Sequence, residues 1–103
     1  MLMTTTDLIP GKEYEVLGLV EGSMIQSKNI GKDLTQGLKG IVGGELKQYT
    51  TMLNESREAA KQRMVAQAEA LGADAIVGMR YTTSAVIQGA AEMLSYETAV
   101  KYI

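Results

Sequence analysis

The sequence predicts an α+β fold: one long helix covering one face of a three-stranded, mainly antiparallel sheet. Two observations carry the prediction. A helical apolar period runs from about Glu45 to Leu71, halts at Gly72 and passes through Ala73-Asp74 into the apolar stretch Ala75 to Thr82. Two stretches of alternating character, Glu13 to Glu21 and Glu92 to Ile103, flank that unit on either side. The element order is therefore β-α-α-β-β, the first helix being a short one before the long one.

The long helix is the best-determined element. Leu46, Tyr49, Leu53, Ala60, Met64, Ala68 and Leu71 fall at spacings of three, four, seven, four, four and three, which places them on one stripe at 3.6 residues per turn. Lys47, Glu55, Glu58, Gln62 and Glu69 lie on other faces, and Glu58 and Lys61 can pair at i,i+3. Glu45 stands in the first turn, where the helix dipole favours an acid. Gly72 is the expected left-handed stop. Alanine is dense from Ala59 to Ala73, so a flat neighbour such as a sheet can approach closely. Arg57 falls near the middle of the stripe with no acid three or four residues away. Its guanidinium must snorkel, pair with a distant group, or meet an anion or ligand at a subunit boundary.

The remaining elements follow in chain order. Met1 to Asp7 reads as a frayed or edge segment. Ile9-Pro10-Gly11-Lys12 has the proline and glycine of a type II turn. In the first strand Tyr14, Val16, Gly18 and Val20 alternate with Glu15, Leu17, Leu19 and Glu21, and Gly22-Ser23 is expected to end or bend it. Ile30, Leu34, Leu38 and Ile41 give a short helix over 30–42, weakened by three glycines. Gly43-Gly44 then separates the two helices as a hinge; the alternative is an anion cradle at the helix N-terminus, which Glu45 opposes. In the second strand, 75–82, Ile76, Gly78, Arg80 and Thr82 share one face. The stretch 83–91 reads as a hairpin connection. In the third strand Leu94, Tyr96, Thr98, Val100 and Tyr102 form the apolar set expected to face the helix.

Composition excludes more than it assigns. A chain of 103 residues corresponds to one domain. Its net charge is −2 and its pI about 5.1; with no basic block, nucleic acid is a poor partner. Cys and His are absent, which removes disulfides, thiol nucleophiles, the commonest general base and the commonest transition-metal ligand. No stretch approaches the roughly 20 apolar residues of a membrane span, and the N-terminus lacks the pattern of a signal peptide. A cytoplasmic protein is the expectation. Phe and Trp are absent too, and five Tyr carry all the aromatic bulk. A core so thin in large side chains gains from burying surface against further copies of itself.

With these residues in view, the chain resembles the YbjQ-like family, which is also labelled heavy-metal-binding. The likeness spans nearly the whole chain. It rests on Thr5-Thr6, Ile9-Pro10-Gly11-Lys12, Gly18-Leu19-Val20-Glu21-Gly22, and Ile41-Val42-Gly43-Gly44-Glu45 with Tyr49. It continues through Arg57, Ala60 and the run Leu71-Gly72-Ala73-Asp74-Ala75-Ile76-Val77-Gly78. The resemblance implies a dodecin-like subunit that assembles into a ring, a homopentamer, and it supplies no reaction.

Three functional readings follow. The first is a ring-forming homo-oligomer that binds a small ligand or partner where subunits meet. Gly43, Gly44, Tyr49, Arg57, Asp74 and Arg80 are its candidate contacts, with Glu97 a possible cross-sheet partner for Arg80. The second is a metal-ion module built from carboxylates, for which Glu13, Glu15, Glu21, Asp74, Glu92 and Glu97 are available; soft metals would find only Met thioethers. The third is an enzyme, but no spacing singles out an acid–base pair. No cofactor is predicted, and a metal ion enters only through the family label.

Overall fold

The computed structural model describes residues 1–26, 43–87 and 90–103. Four strands and one helix follow in order: β1 (Leu2–Met3), β2 (Tyr14–Gln26), α1 (Gly43–Ala70), β3 (Ala75–Ile87) and β4 (Ala90–Tyr102). The strands form one sheet in the order β1-β3-β4-β2. β4 is antiparallel to both of its neighbours, and β1 runs parallel to β3. The α+β class stands as expected, with four strands in place of three. Leu2 and Met3 pair with Ala75 and Ile76, and Thr4 and Thr6 extend the contact with backbone hydrogen bonds to Ile76, Gly78 and Met79. The short helix expected over 30–42 lies outside the described residues.

α1 begins at Gly43, so the double glycine forms its first turn and is not a hinge ahead of it. The first-turn N–H groups have no partner within the helix, and glycine there costs only its weak propensity, about 1 kcal/mol each. The C-terminus behaves as expected. Gly72 has φ 77°; its N–H bonds Glu69 O at 2.9 Å, and Ala73 N–H bonds Ala68 O at 3.0 Å, the paired bonds of a Schellman stop. The buried line is Ser56, Ala60, Met64 and Ala68, a pure spacing of four, while Leu53 and Leu71 stay exposed. A four-residue ridge of mostly small side chains lies along the strands, with Val65 beside it packed against the same core.

That ridge comes very close to β2. At Gly22 an added Cβ would fall against the carbonyl oxygen of Ala60 and the amide nitrogen of Met64, and 2.9 Å from Arg63 Cβ. Gly22 therefore lies inside β2, where the helix backbone leaves no room for a side chain. It does not end the strand, which runs on to Gln26.

Two bulges reset the expected alternation. In β2 the register shifts between Val16 and Gly18, so Leu17 joins the helix-side core with Val20, Met64, Ala68, Ile76 and Ala99. In β3 it shifts between Val77 and Arg80, and Gly78 and Met79 together oppose Glu97. Gly78 takes φ 65°, a left-handed conformation that other residues adopt at a cost. As a result Ile76 and Met79 share the helix side, whereas Ala75 and Val77 line the opposite face. The expected hairpin connection over 83–91 is strand on both sides: β3 continues to Ile87 and β4 starts at Ala90.

The largest departure concerns β4. Met93, Ser95, Glu97 and Ala99 face the helix and are buried. Leu94, Tyr96, Thr98, Val100 and Tyr102 face outward, the reverse of the expectation. The close approach of α1 at Gly22 puts Ser95, its partner in the register, under the helix, and the alternation of β4 carries Met93, Glu97 and Ala99 to the same side. Among the described residues, one end of that outer face is covered: Ile9, Tyr14 and Tyr102 pack on Ala75, Val77 and Val100. The turn that brings Ile9 there is the expected one, with Lys12 N–H bonding Ile9 O at 3.2 Å and Gly11 at φ 78°. Farther along, Val16 (65% exposed), Leu19 (68%), Ile25 and Tyr96 (38%) are open.

Candidate functional site

Sequence reasoning did not single out the chemically most distinctive group for a site. On β4, Ser95 and Glu97 project beneath α1 and are 0% and 3% exposed. Gly22 and Val20 of β2 stand opposite them. The Ser95 hydroxyl and both Glu97 carboxylate oxygens are buried and make no hydrogen bond among the described residues. Buried Ser56 is a useful contrast, since its hydroxyl bonds Met52 O at 2.9 Å. Burial pushes the Glu97 carboxyl up to about 7. The Ser95 hydroxyl pulls weakly the other way, close enough to favour the charge without closing a hydrogen bond to it. Desolvation wins because, among the described residues, no cation reaches the carboxylate. The alternation of β4 places Glu97 on a face, but only the close approach of α1 decides that this face is the buried one, which is why the sequence did not reveal it.

The expected Arg80–Glu97 pair does not form. The β3 bulge puts Arg80 on the opposite face of the sheet, where its Nη1 donates to Thr5 O at 3.0 Å and Met79 O at 2.8 Å, anchoring the N-terminal segment. Asp74 is a local clamp. Its Oδ2 accepts the Tyr102 N–H at 2.9 Å and lies 3.6 Å from Lys101 Nζ. Arg57 sits half-buried at the edge of the ridge and donates to Asn54 Oδ1. Glu58 and Lys61 pair at 2.9 Å, as their spacing predicts. Gly43 and Gly44 occupy the helix start. Tyr49 is helical in backbone, and its side chain lies outside the described residues. These six candidates are spread from one end of α1 to the far face of the sheet and do not converge.

A second feature, also missed in the sequence, lies along the outer edge of β2. A cleft of about 480 Å³ is lined by Glu21, Ser23, Arg63, Gln67, Glu92 and Leu94. Gln67 Oε1 accepts the Glu21 N–H at 3.0 Å, and Arg63 donates to Ser23 O. Two α1 side chains thus satisfy edge groups of β2 and form the polar wall of the cleft.

The donors do not make a site for a soft metal. The chain has no Cys or His, and among the described residues no three carboxylates gather. Met64 and Met93 are buried core residues and Met79 packs against that core, so their thioethers serve packing. Glu97 lies under the helix while Glu21 and Glu92 border the β2 cleft.

One helix on a mixed four-stranded sheet defines the class: an α+β fold. The chain belongs to the YbjQ_1 family, described as "Putative heavy-metal-binding", which matches residues 1–103. It is 58% identical over 103 residues to a UPF0145 protein of Clostridium novyi, covering 100% of both chains. It is 58% identical over 104 residues to one of Vibrio parahaemolyticus, covering 100% of this chain and 99% of that one. A UPF0145 protein of Methanosarcina acetivorans is 55% identical over 102 residues, covering 98% and 96%. Among solved structures, a DUF74-family protein of unknown function from Pediococcus pentosaceus superposes with TM-score 0.71 at 20% identity, covering 100% of this chain and 98% of that one. At that identity the likeness concerns the fold. No helix among the described residues is long and apolar enough to cross a membrane.

Proposed function

We propose that the chain is the subunit of a cytoplasmic, ring-forming homo-oligomer, dodecin-like in its use of one helix per sheet, that binds a small polar ligand where subunits meet. The observation that carries this reading is the outer sheet face. Val16, Leu19, Ile25 and Tyr96 are exposed on 13-residue strands, and several large apolar side chains exposed on one sheet face favour a partner. A second copy suits it best, because the subunit is too thin to shelter the face itself. Its Cα radius of gyration is 17.0 Å and its extents are 55 × 24 × 15 Å, against the ~13 Å radius of a compact chain of this length. The ring size of five rests on the resemblance of the sequence to its family.

The β2-edge cleft is the proposed ligand position. It carries Arg63, Glu21 and Glu92 around an open volume, a lining suited to a small polar molecule. The test is a Leu19→Lys variant studied by native mass spectrometry beside the unmodified chain. A charge on the outer face of the edge strand β2 should reduce the assembly to single subunits while far-ultraviolet circular dichroism stays unchanged. An assembly that survives this substitution intact overturns the proposed interface.

A further inference from the structure

We infer that Glu97 is a proton-operated latch for α1: protonated, it lets the helix lie closed on the sheet, and ionised, it drives the β3-side margin of the helix open to water. The inference stands on geometry independent of assembly. The carboxylate has two buried oxygens with no hydrogen-bond donor among the described residues, next to a buried hydroxyl in the same condition. A protonated acid tolerates such a place; a carboxylate must find water or a cation.

The helix is fastened unevenly, and this gives the opening a direction. On its β2 side α1 is tied by the Gln67–Glu21 and Arg63–Ser23 hydrogen bonds and by backbone contact at Gly22. Its packing lies mainly on β2 and β4. Toward β3, Tyr81 stands opposite Ser95 in the register and is exposed. Tilting α1 about its β2 side would bring water to Glu97 past Tyr81 without breaking the sheet.

The charged groups around Glu97 leave it unsatisfied. Among the described residues, β2 contributes Leu17, Val20 and Gly22. From β3 come Tyr81 and the Gly78-Met79 bulge, neither of which carries a cation. From α1, the Lys61 ammonium is held 2.9 Å from Glu58 Oε2, Arg57 is bonded to Asn54 and Arg63 to Ser23 O. On β4 itself, Lys101 is committed to Asp74 and Gly72 O.

The test begins with a pH titration of Glu97 in the full chain, followed by NMR of its side-chain carboxyl carbon. A midpoint near 7 is expected; a midpoint below pH 5 overturns the latch. Amide hydrogen exchange then reads the opening. Corrected for intrinsic rates, exchange over Ala60–Ala68 should rise roughly tenfold per pH unit between about 4.5 and 7 and then level off, since the opened helix returns Glu97 to its ordinary range. Amides of β4 should exchange more slowly throughout. In Glu97→Gln the helix profile should be flat. A common rate for α1 and β4, or a profile unchanged by the substitution, contradicts the inference. Should the glutamine variant not fold, the native titration and the α1–β4 comparison decide alone.

Discussion

At the scale of single residues, two positions set the terms. Glu97 has a folded pKa near 7 and an ordinary value near 4.5 when the chain is unfolded. Its proton therefore stabilises the fold fully below pH 4.5, and that contribution is lost as pH rises to about 7. The loss approaches roughly 3 kcal/mol, the free-energy equivalent of the shift. Urea midpoints of the native chain should fall between pH 5 and pH 7.5, while those of Glu97→Gln should stay level across the same window. Gly22 carries the opposite kind of constraint, one of space. Gly22→Ala inserts a methyl group against helix backbone that no side-chain rotation can clear. A loss of about 3 kcal/mol or more is expected, at or beyond the upper end for overpacking, and an unfolding free energy from urea titration within about 0.5 kcal/mol of native would show that the helix does not lie this close.

At the scale of elements, Asp74 holds the junction where α1 ends and β3 begins, by accepting the Tyr102 N–H across the sheet. Asp74→Ala should cost about 1–2 kcal/mol through the lost charge-assisted bond, measurable as a lower melting temperature with the assembly unchanged. The elements also show how much the sequence made legible. The helix, its glycine stop and the Ile9–Lys12 turn were readable because each is written in local residues: a four-residue repeat, a glycine after the last period, a Pro-Gly pair. The strands were readable as strands, but their faces were not. Bulges at Leu17 and at Gly78-Met79 shift the pleat by one residue, and a single shift exchanges the two faces. On β4 the bulkier alternating set appeared to be the core set. The decision belonged to the distant contact of Gly22 with Ala60 and Met64, which has no local sequence signal. The Ser95–Glu97 site was lost with that face, and the β2 cleft was hidden because Arg63 and Gln67 had every mark of a solvated helix surface.

At the scale of the whole molecule, the parts describe an unfinished object. Val20, Met64, Ile76 and the alanines of α1 fill the space between helix and sheet, while Leu19, Val16 and Tyr96 lie outside it. The helix-side core uses the alanine-rich stripe, and the remaining apolar bulk of the chain waits on the other side of the sheet. Sister copies packed against that side would complete the fold, bring β2-edge clefts next to subunit boundaries, and shield residues whose exposure in a single subunit favours aggregation. The measurement that tests this most directly is the molar mass of the native chain in solution, by size-exclusion chromatography with multi-angle light scattering at micromolar concentration. The account predicts a single species at a multiple of the 11.1 kDa subunit mass, five-fold for the ring proposed. A well-behaved species at 11.1 kDa, stable across that concentration range, would contradict it.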